Sequence, residues 1–310
     1  MYGAMIGDII GSAYESTGIK TKRFLLFPIN TSITDDSIMT VAVAQALMKW
    51  NKEKEELHDA MIRNMGRYGC KYPDPPGEYD RKFQRWLNTY GAASFNSCSN
   101  GGAMRVSPCG LLATSLDEAL ELARIATEVS HNTNEAIKGA MAVAAAVYLA
   151  KTGSSKEEIR QYIHDEFYPM DRTLDEIRLT YQYDKSCQGS VPQAILAFLE
   201  SRNYEDAIRN AVSLGGDANT MATIAGSIAW SYYRYRNRGE MTSDMRKLRE
   251  KAAKYIPKEF ADIANKFKVF CWKNAKRTEQ TGKAFTYTIQ MQFEQEQKNE
   301  EYVQLPIWDF

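Results

Sequence analysis

Apolar residues with helical spacing constrain the fold of this chain more than any other feature of its sequence. In the segment 39–50, apolar side chains recur at intervals of three and four residues and so share one helix face (Met39, Ala42, Val43, Ala46, Leu47 and Trp50). The same spacing occurs over 136–148 and 221–232, and further helices are predicted over 57–67, 116–129, 156–166, 189–200 and 203–213. Because no strand pattern occurs before about residue 270, the sequence predicts an all-α domain.

The C-terminal end of the chain has a different pattern. The segment FTYTIQMQF (285–293) places large apolar side chains on one face and Thr or Gln on the other, which is the period-two pattern of a strand. A charged stretch, EQEQKNEEY, follows it. We therefore predict a helical domain over 1–270 and a C-terminal extension, partly strand-like, over 271–310.

The composition argues against several classes of protein. Lys+Arg and Asp+Glu are both 39, so no excess of charge favours binding to nucleic acid or to an anionic membrane. The cysteines number five and form no C-x-x-C pair, which favours a reducing compartment over a disulfide framework. No apolar run reaches the ~20 residues that a membrane-spanning helix needs, and the N-terminal segment does not resemble a signal peptide. The sequence predicts a cytoplasmic protein.

Two acidic segments lie where helices are predicted to begin. The segment TDDS (34–37) precedes the 39–50 helix, and LGGDANT (214–220) opens the 221–232 helix. One carboxylate or hydroxyl is enough to cap a helix N-terminus. Adjacent carboxylates repel each other unless a cation lies between them, and oxygen ligands suit Mg²⁺ or Mn²⁺. Capping and metal binding are both open interpretations of these segments.

A third acidic pair lies near the N-terminus. Asp8 and Glu15 are separated by two helical turns in an apolar segment that also contains Gly7 and Gly11, so one helix face is expected to carry both acids. Carboxylates on an apolar face are costly to bury without a partner. Together, the three acidic segments suggest a metal centre lined with oxygen atoms.

A glycine-rich segment, SNGGAMR (99–105), supplies a different kind of candidate site. A glycine-rich turn that enters a helix directs backbone N–H groups at an anion, most often a phosphate. The alternative is an ordinary loop in which Asn100 caps the helix. Arg105 would pair either with the phosphate or with an acid in the core.

Taken in order, these segments resemble the ADP-ribosylglycohydrolase family, of the type that activates dinitrogenase reductase. The resemblance extends from residue 1 to about residue 270. The matching segments are GDIIGSAYE (7–15), TDDS (34–37), SNGGAMRVSPCG (99–110), SHNTNEAIKGA (130–140), CQGSVPQAILAFLE (187–200) and LGGDANTMATIAGSIA (214–229).

The resemblance implies an orthogonal all-α fold that holds two divalent ions, Mg²⁺ or Mn²⁺, in a cleft. The residues at the family's metal-ligand positions are Glu15, Thr34, Asp35, Asp36, Asp217, Asn219 and Thr220. The residues at its substrate-binding positions are Asn100, Gly101, Gly102 and Met104 for the diphosphate, His131 in the cleft wall, and Gly189, Ser190 and Val191 at the adenosine end. Asp36 is predicted to act as the base or to position the attacking water, with Asp35 and Glu15 as further catalytic residues.

The resemblance also implies the reaction: cleavage of the glycosidic bond between ADP-ribose and a modified target, for which a protein side chain is the first choice. Asn219 departs from the family, which usually has Asp there, and this predicts that the second ion binds more weakly than the first. Two alternatives stay open. One is an ADP-ribose-binding protein with weakened catalysis, and the other is a hydrolase of another ribosyl compound, such as a modified nucleotide or a nucleic acid end.

Overall fold

A computed structural model describes residues 1–49 and 54–279 of the chain. Within these residues the regular structure is α-helical, and the only β pairings are two isolated bridges, Phe95 with His131 and Ser99 with Ser186. The prediction of an all-α fold is therefore confirmed for this part of the chain. Trp50 and the strand predicted over 285–293 lie outside the described residues. None of the helices in the described ranges is both long enough and apolar enough to cross a membrane.

The helices are numbered here in chain order. Their bounds are α1 Tyr2–Ser12, α2 Asp35–Lys49, α3 Lys54–Lys71, α4 Arg81–Asn88, α5 Ser107–Leu112, α6 Leu116–Glu128, α7 Asn134–Thr152, α8 Lys156–Glu166, α9 Leu174–Arg178, α10 Cys187–Leu199, α11 Tyr204–Val212, α12 Ala218–Arg236, α13 Ser243–Ala252 and α14 Lys258–Glu279.

Each helix predicted from apolar spacing is present, with bounds that move by a few residues. Helix α2 starts at Asp35, so the acidic pair of the 34–37 segment lies inside its first turn rather than ahead of it. Helix α14 was not predicted, and it continues through residue 271 to Glu279. The domain boundary near residue 271 stays a prediction.

Helix α12 lies in the middle of the fold, in contact with α1, α7, α10 and α11. Every residue from its first turn to Ser231 is buried, which fits a helix surrounded by other helices. Its N-terminal end carries the segment 217–220 into the interior.

Glycines in α1 let its backbone pack directly against the backbone of α12. A Cβ atom at Gly7 would lie 2.1 Å from the carbonyl oxygen of Ala222, and one at Gly11 would lie 2.4 Å from that of Ala218. No real side chain tolerates such distances, so this packing requires the absence of a Cβ. The glycines of α1 therefore serve close helix packing, and that packing places Asp8 near the start of α12.

Candidate metal centre and active site

Asp8 on α1 fixes the N-terminus of α2. Its Oδ2 atom accepts hydrogen bonds from the backbone N–H groups of Thr34, at 2.9 Å, and Ser37, at 3.1 Å. The Thr34 hydroxyl donates to Oδ1 at 2.6 Å, and the Ser37 hydroxyl also donates to this carboxylate. Burial raises the pKa of Asp8 to about 6, although these hydrogen bonds act in the opposite direction. Asp8 thus caps α2 from a neighbouring helix.

Asp36 lies in the first turn of α2, and neighbouring residues rather than its own carboxylate cap this helix. The hydroxyl of Thr34 accepts from the Asp36 N–H at 3.2 Å. The Oδ2 atom of Asp36 accepts from the Asn219 side-chain amide and from the Thr220 hydroxyl, each at 3.2 Å. Its Oδ1 atom is buried and has no hydrogen-bond partner among the described residues. The carboxylate of Asp36 therefore joins α2 to α12 and keeps one oxygen free.

The first residues of α12 form the other half of the cluster. Asp217 stands at the N-cap position, but its side chain makes no capping bond, so the capping interpretation is wrong for this residue. Its Oδ2 atom instead accepts from the Asn100 side-chain amide at 2.8 Å. The Oδ1 atom of Asn219 is buried without a partner in the described part of the chain, as is that of Asp36.

Gly215 and Gly216 make the turn that precedes α12. Gly215 has a left-handed backbone (φ 67°), and a Cβ there would lie 2.6 Å from the carbonyl oxygen of Gly18. A Cβ at Gly216 would meet the ring of Tyr181 at 2.3 Å. A sharp turn is therefore present here, with protein atoms closely packed around it.

Glu15 lies beyond the end of α1, so the predicted helix face shared with Asp8 is wrong. The helix ends at Ser12, because the Tyr14 N–H turns back to the carbonyl of Gly11 and the Ser12 hydroxyl donates to that of Ile9. The Glu15 side chain is 17% exposed and pairs at Oε1 with Lys185 at 3.4 Å. The Tyr183 hydroxyl donates to the same oxygen at 3.3 Å.

The residues 99–105 form a series of turns rather than the start of a helix. Helix α5 begins only at Ser107, which corrects the expectation that the glycine pair opens a helix. The backbone N–H groups of Ala103 and Met104 bond to the Asn100 carbonyl at 2.8 and 3.0 Å. The N-cap residue of α5 is Val106, so Asn100 does not cap this helix. The N–H groups of Gly101 and Gly102 make no hydrogen bond within the described residues.

His131 lies beneath this loop and is neutral. Its Nδ1 atom is 2.9 Å from the Ser130 hydroxyl, and its Nε2 atom is 3.1 Å from the Ser99 hydroxyl. Arg105 donates to the Ser130 oxygen at 2.6 Å, so the Ser130 proton is directed to Nδ1 and the histidine proton to Nε2. Burial, followed by the charge of Arg105, lowers the pKa of His131 well below its usual range.

Arg105 forms no ion pair with an acid among the described residues, so that predicted role is wrong, and the pairing with a phosphate stays a prediction. It is 1% exposed and donates to the carbonyl of Ala126 and to Ser130, while its guanidinium lies 5.6 Å from the centre of the Phe83 ring. Ala126 belongs to the last turn of α6, where carbonyl groups carry partial negative charge. The arginine therefore supports the histidine from inside the core.

The three residues predicted at the adenosine end lie in the first two turns of α10. Ser190 accepts from the Asn100 side chain at 3.1 Å and so contacts the site. The Gly189 N–H bonds to the capping hydroxyl of Ser186, and the Val191 side chain is fully buried in the core. Ser190 is thus hydrogen-bonded to another predicted site residue.

The donor set fits a hard divalent cation. Burial, and then the charges of neighbouring carboxylates, raises the pKa of both Asp35 and Asp36, and burial raises the pKa of Asp217 to about 6. A cation among them would offset this repulsion and would satisfy the unpaired oxygens of Asp36 and Asn219. In the described ranges no three His, Cys, Asp or Glu side chains form a metal-binding group by themselves. Amide and hydroxyl oxygens, such as those of Asn219 and Thr220, would complete the coordination.

Two residues of the site were not singled out from the sequence. Lys185 and Tyr183 hold Glu15, yet the segment 181–186 has neither apolar periodicity nor a glycine-rich turn. The available signal in the sequence was a lysine next to the matched segment 187–200. It did not stand out, because most lysines lie exposed on protein surfaces.

The sequence matches the family model described as ADP-ribosylglycohydrolase over residues 1–269. ADP-ribosylhydrolase ARH3 from Homo sapiens is 27% identical to this chain over 308 residues, which cover 74% of this chain and 83% of that protein. ADP-ribosylarginine hydrolase Tri1 from Pseudomonas putida (strain GB-1) is 28% identical over 216 residues, covering 66% of this chain and 55% of that protein.

One solved structure, described as an ADP-ribosylglycohydrolase-related protein complex, has the same fold. Its TM-score is 0.58 at 20% sequence identity, and the match covers 88% of this chain and 94% of that one. At this level of identity the similarity concerns the fold alone, and it agrees with the all-α architecture described above.

Proposed function

Since this chain belongs to the ADP-ribosylglycohydrolase family, we propose that it uses a divalent cation, Mg²⁺ or Mn²⁺, to release ADP-ribose from modified protein side chains. The chain is an ADP-ribosyl hydrolase. The observation that carries the metal-dependent form of the proposal is the pair of buried, unpaired oxygens, Asp36 Oδ1 and Asn219 Oδ1, within a cluster of carboxylates. The relative named ADP-ribosylarginine hydrolase supports a protein side chain as the target.

In this proposal Asp36 handles the proton of the attacking water. The Asn219 amide and the Thr220 hydroxyl hold its Oδ2 atom, which leaves Oδ1 to contact the cation and the water ligated to it. When bound, a divalent cation lowers the pKa of a ligated water and orients the sugar. The residues that would hold it are Glu15, Thr34, Asp35, Asp36, Asp217, Asn219 and Thr220.

The segment 99–105 binds the diphosphate of ADP-ribose in this proposal. The N–H groups of Gly101 and Gly102 donate to its oxygens, and the side chain of Asn100 keeps the segment next to Asp217. Neutral His131 supports the loop from below through Ser99. The glycosidic bond is then cleaved through an oxocarbenium-like state, for which the ribose has to be fixed beside an activated water.

The test is a panel of substrates with and without cation. Proteins ADP-ribosylated on different side chains, arginine among them, are incubated with Mg²⁺, Mn²⁺ or EDTA, and released ADP-ribose is measured. We expect release with a cation and none in EDTA. The Asp36→Asn variant should lose this activity, whereas Asp74→Asn, at an exposed position, should keep it.

Other outcomes favour the alternatives. Tight binding of free ADP-ribose with no release from any substrate indicates a binding protein with weakened catalysis. Release from ADP-ribosylated nucleic acid ends or modified nucleotides only, and from no protein, indicates another ribosyl substrate. Release at full rate in EDTA contradicts the proposed metal dependence.

A further inference from the structure

Exposed apolar side chains are concentrated on two segments of the surface. Within the described residues six large apolar or aromatic side chains are exposed, and four of them lie in the segments 24–30 and 179–183. Leu25 is 74% exposed and Ile29 is fully exposed, and Leu179 and Tyr183 are exposed as well. Single exposed apolar side chains are common on protein surfaces, but several that lie close together mark an interaction site. We call these four residues the apolar rim.

Hydrogen bonds bring both segments of the apolar rim to the same part of the chain. The Tyr14 hydroxyl donates to the carbonyl of Leu25 at 2.5 Å. The Tyr183 hydroxyl donates to Oε1 of Glu15, the residue after Tyr14, at 3.3 Å. Lys20, which precedes the first segment, donates to a backbone carbonyl of the second one. The two segments therefore flank Glu15 and are joined to each other.

The first segment of the apolar rim is held by several contacts. Arg209 donates to the backbone carbonyls of Lys22 and Phe24 at 2.9 and 3.0 Å, and its guanidinium lies 5.0 Å from the centre of the Phe24 ring. The ring of Phe27 stacks on that of Tyr255, with 5.9 Å between their centres. A surface that is already ordered loses little conformational entropy when a partner binds. The exposed side chains of this segment are therefore presented to solvent by an ordered backbone.

The carboxylate cluster reaches solvent at Glu15. This residue is partly exposed, whereas Asp36, Asp217 and Asn219 are buried. A polypeptide with ADP-ribose on one side chain stays outside such a buried cluster, because only the modified side chain is narrow enough to enter. The covalent bond between the two then holds that polypeptide against the surface next to Glu15, where the apolar rim lies.

We propose that the apolar rim is a docking surface for the polypeptide of the ADP-ribosylated substrate, and that the protein therefore favours modified proteins over small ADP-ribosylated compounds. Leu25, Ile29 and Leu179 supply apolar contact area, which contributes to binding when water is removed from it. Tyr183 also contacts Glu15, so its substitution would affect the carboxylate cluster as well. The inference rests on the proposed function for the position of ADP-ribose, and it concerns how the target is held rather than how the bond is cleaved.

The experiment compares two substrates that carry the same ADP-ribosylated residue, one as part of a protein and one as the free amino acid. The kinetics of ADP-ribose release are measured with Mg²⁺ for the full-length parent and for the double variant Leu25→Ser with Ile29→Ser. The double variant should raise KM for the protein substrate by about fivefold or more and leave kcat unchanged, because binding that is equal in the ground and transition states is lost. Both constants for the free amino acid should match those of the parent. Leu179→Ser should raise KM for the protein substrate by a smaller factor, since one side chain rather than two is removed.

A matched control removes an exposed aromatic side chain elsewhere. Tyr90 is exposed in the turn after α4 and has a left-handed backbone (φ 55°), which Asn adopts more readily than most residues. Tyr90→Asn should leave the kinetics on both substrates unchanged. Circular dichroism checks that each variant is folded, which is expected because the replaced side chains are exposed. An unchanged KM for the protein substrate in the double variant, or an equal rise for both substrates, would overturn the inference.

Two further outcomes separate this inference from the proposed function. If neither substrate releases ADP-ribose, the proposed function fails, and the binding of both substrates is measured by fluorescence anisotropy. The inference then stands if the double variant loses about fivefold or more in affinity for the protein substrate alone, and it fails if both affinities change equally or neither changes. A dimer in solution that the double variant dissociates, with no change in the kinetics, would assign the apolar rim to a second copy of the chain and overturn the inference.

Discussion

The N-termini of α2 and α12 both carry acidic residues and face each other. They differ in whether nearby side chains hydrogen-bond to their free backbone N–H groups. At α2, Asp8 from α1 and the hydroxyl of Thr34 take up backbone N–H groups. At α12, Asp217 stands at the cap position without capping, and Asn100 holds its carboxylate instead. Acids at a helix start therefore have different roles, and only their hydrogen bonds separate a structural carboxylate from one that is available to a ligand.

Asp8 and Asp36 show this difference most directly. Both are fully buried, yet the carboxylate of Asp8 accepts four hydrogen bonds whereas one oxygen of Asp36 accepts none. A buried polar atom without a partner costs free energy, so proteins keep one mainly where a ligand or a reaction uses it. We therefore expect Asp8 to matter for stability and Asp36 for activity.

The largest effect is expected at Asp36. Replacing both Asp35 and Asp36 with Asn should reduce ADP-ribose release by a factor of about 10² to 10⁴ or more, because the proposed base and a cation ligand are lost. Thermal melting in EDTA should match the parent or rise slightly, since buried like charges are removed. Release at the parental rate would contradict the role assigned to these carboxylates.

A smaller effect, on stability rather than chemistry, is expected at Asp8. Asp8→Ala leaves two backbone N–H groups and two hydroxyls without their acceptor, and should lower the free energy of unfolding by about 3 kcal/mol. Urea denaturation in EDTA measures this loss without a contribution from bound metal. If Asp8→Ala is as stable as the parent while Asp35→Asn with Asp36→Asn is strongly destabilised, the contrast between the two aspartates is wrong.

The next prediction concerns the neutral residue of the cluster. Asn219→Asp places a second charge beside Asp36 and should tighten the weaker Mn²⁺ site by about tenfold, which corresponds to about 1.4 kcal/mol. Turnover should rise if that ion limits catalysis. Calorimetric titration alongside the release assay measures both quantities. Unchanged affinity for the second ion would mean that Asn219 does not limit the binding of that ion.

The smallest effect is expected for the contribution of His131 to the pH dependence of stability. Its pKa in the folded protein lies well below 6.5, so as pH falls below about 6.5 the unfolded chain takes up a proton that the folded protein does not. This residue therefore contributes a loss of stability of at most about 1.4 kcal/mol per pH unit on acidification. Urea denaturation at pH 7.5, 6.5 and 5.5 should show a shallower dependence in His131→Gln. His58→Gln, at an exposed position on α3, should keep the parental slope.

The sequence predicted the positions of the helices and of the candidate segments well. It predicted much less well which groups in them hydrogen-bond to each other. Apolar spacing located α2, α7 and α12, and the segments 34–37 and 214–220 do lie at helix starts. The end of α1 was misplaced, because a turn bond from Tyr14 to Gly11 and a serine bond to Ile9 stop the helix before Glu15. Arg105 was expected to pair with a phosphate or with an acid, and among the described residues it donates instead to the carbonyl end of α6.

What the sequence by itself determined is therefore local: periodicity within a helix and the residue types at its ends, which depend on neighbours within one or two turns. The tertiary structure alone decided which groups meet. Asp8 meets Thr34 and Ser37, which follow it by 26 and 29 residues in the chain, because α1 packs against α2. Lys185 meets Glu15 across 170 residues of chain, and no spacing rule anticipates that contact. The balance of charge in the cluster follows from these long-range contacts, because electrostatic interactions depend on distance in space rather than on separation along the chain.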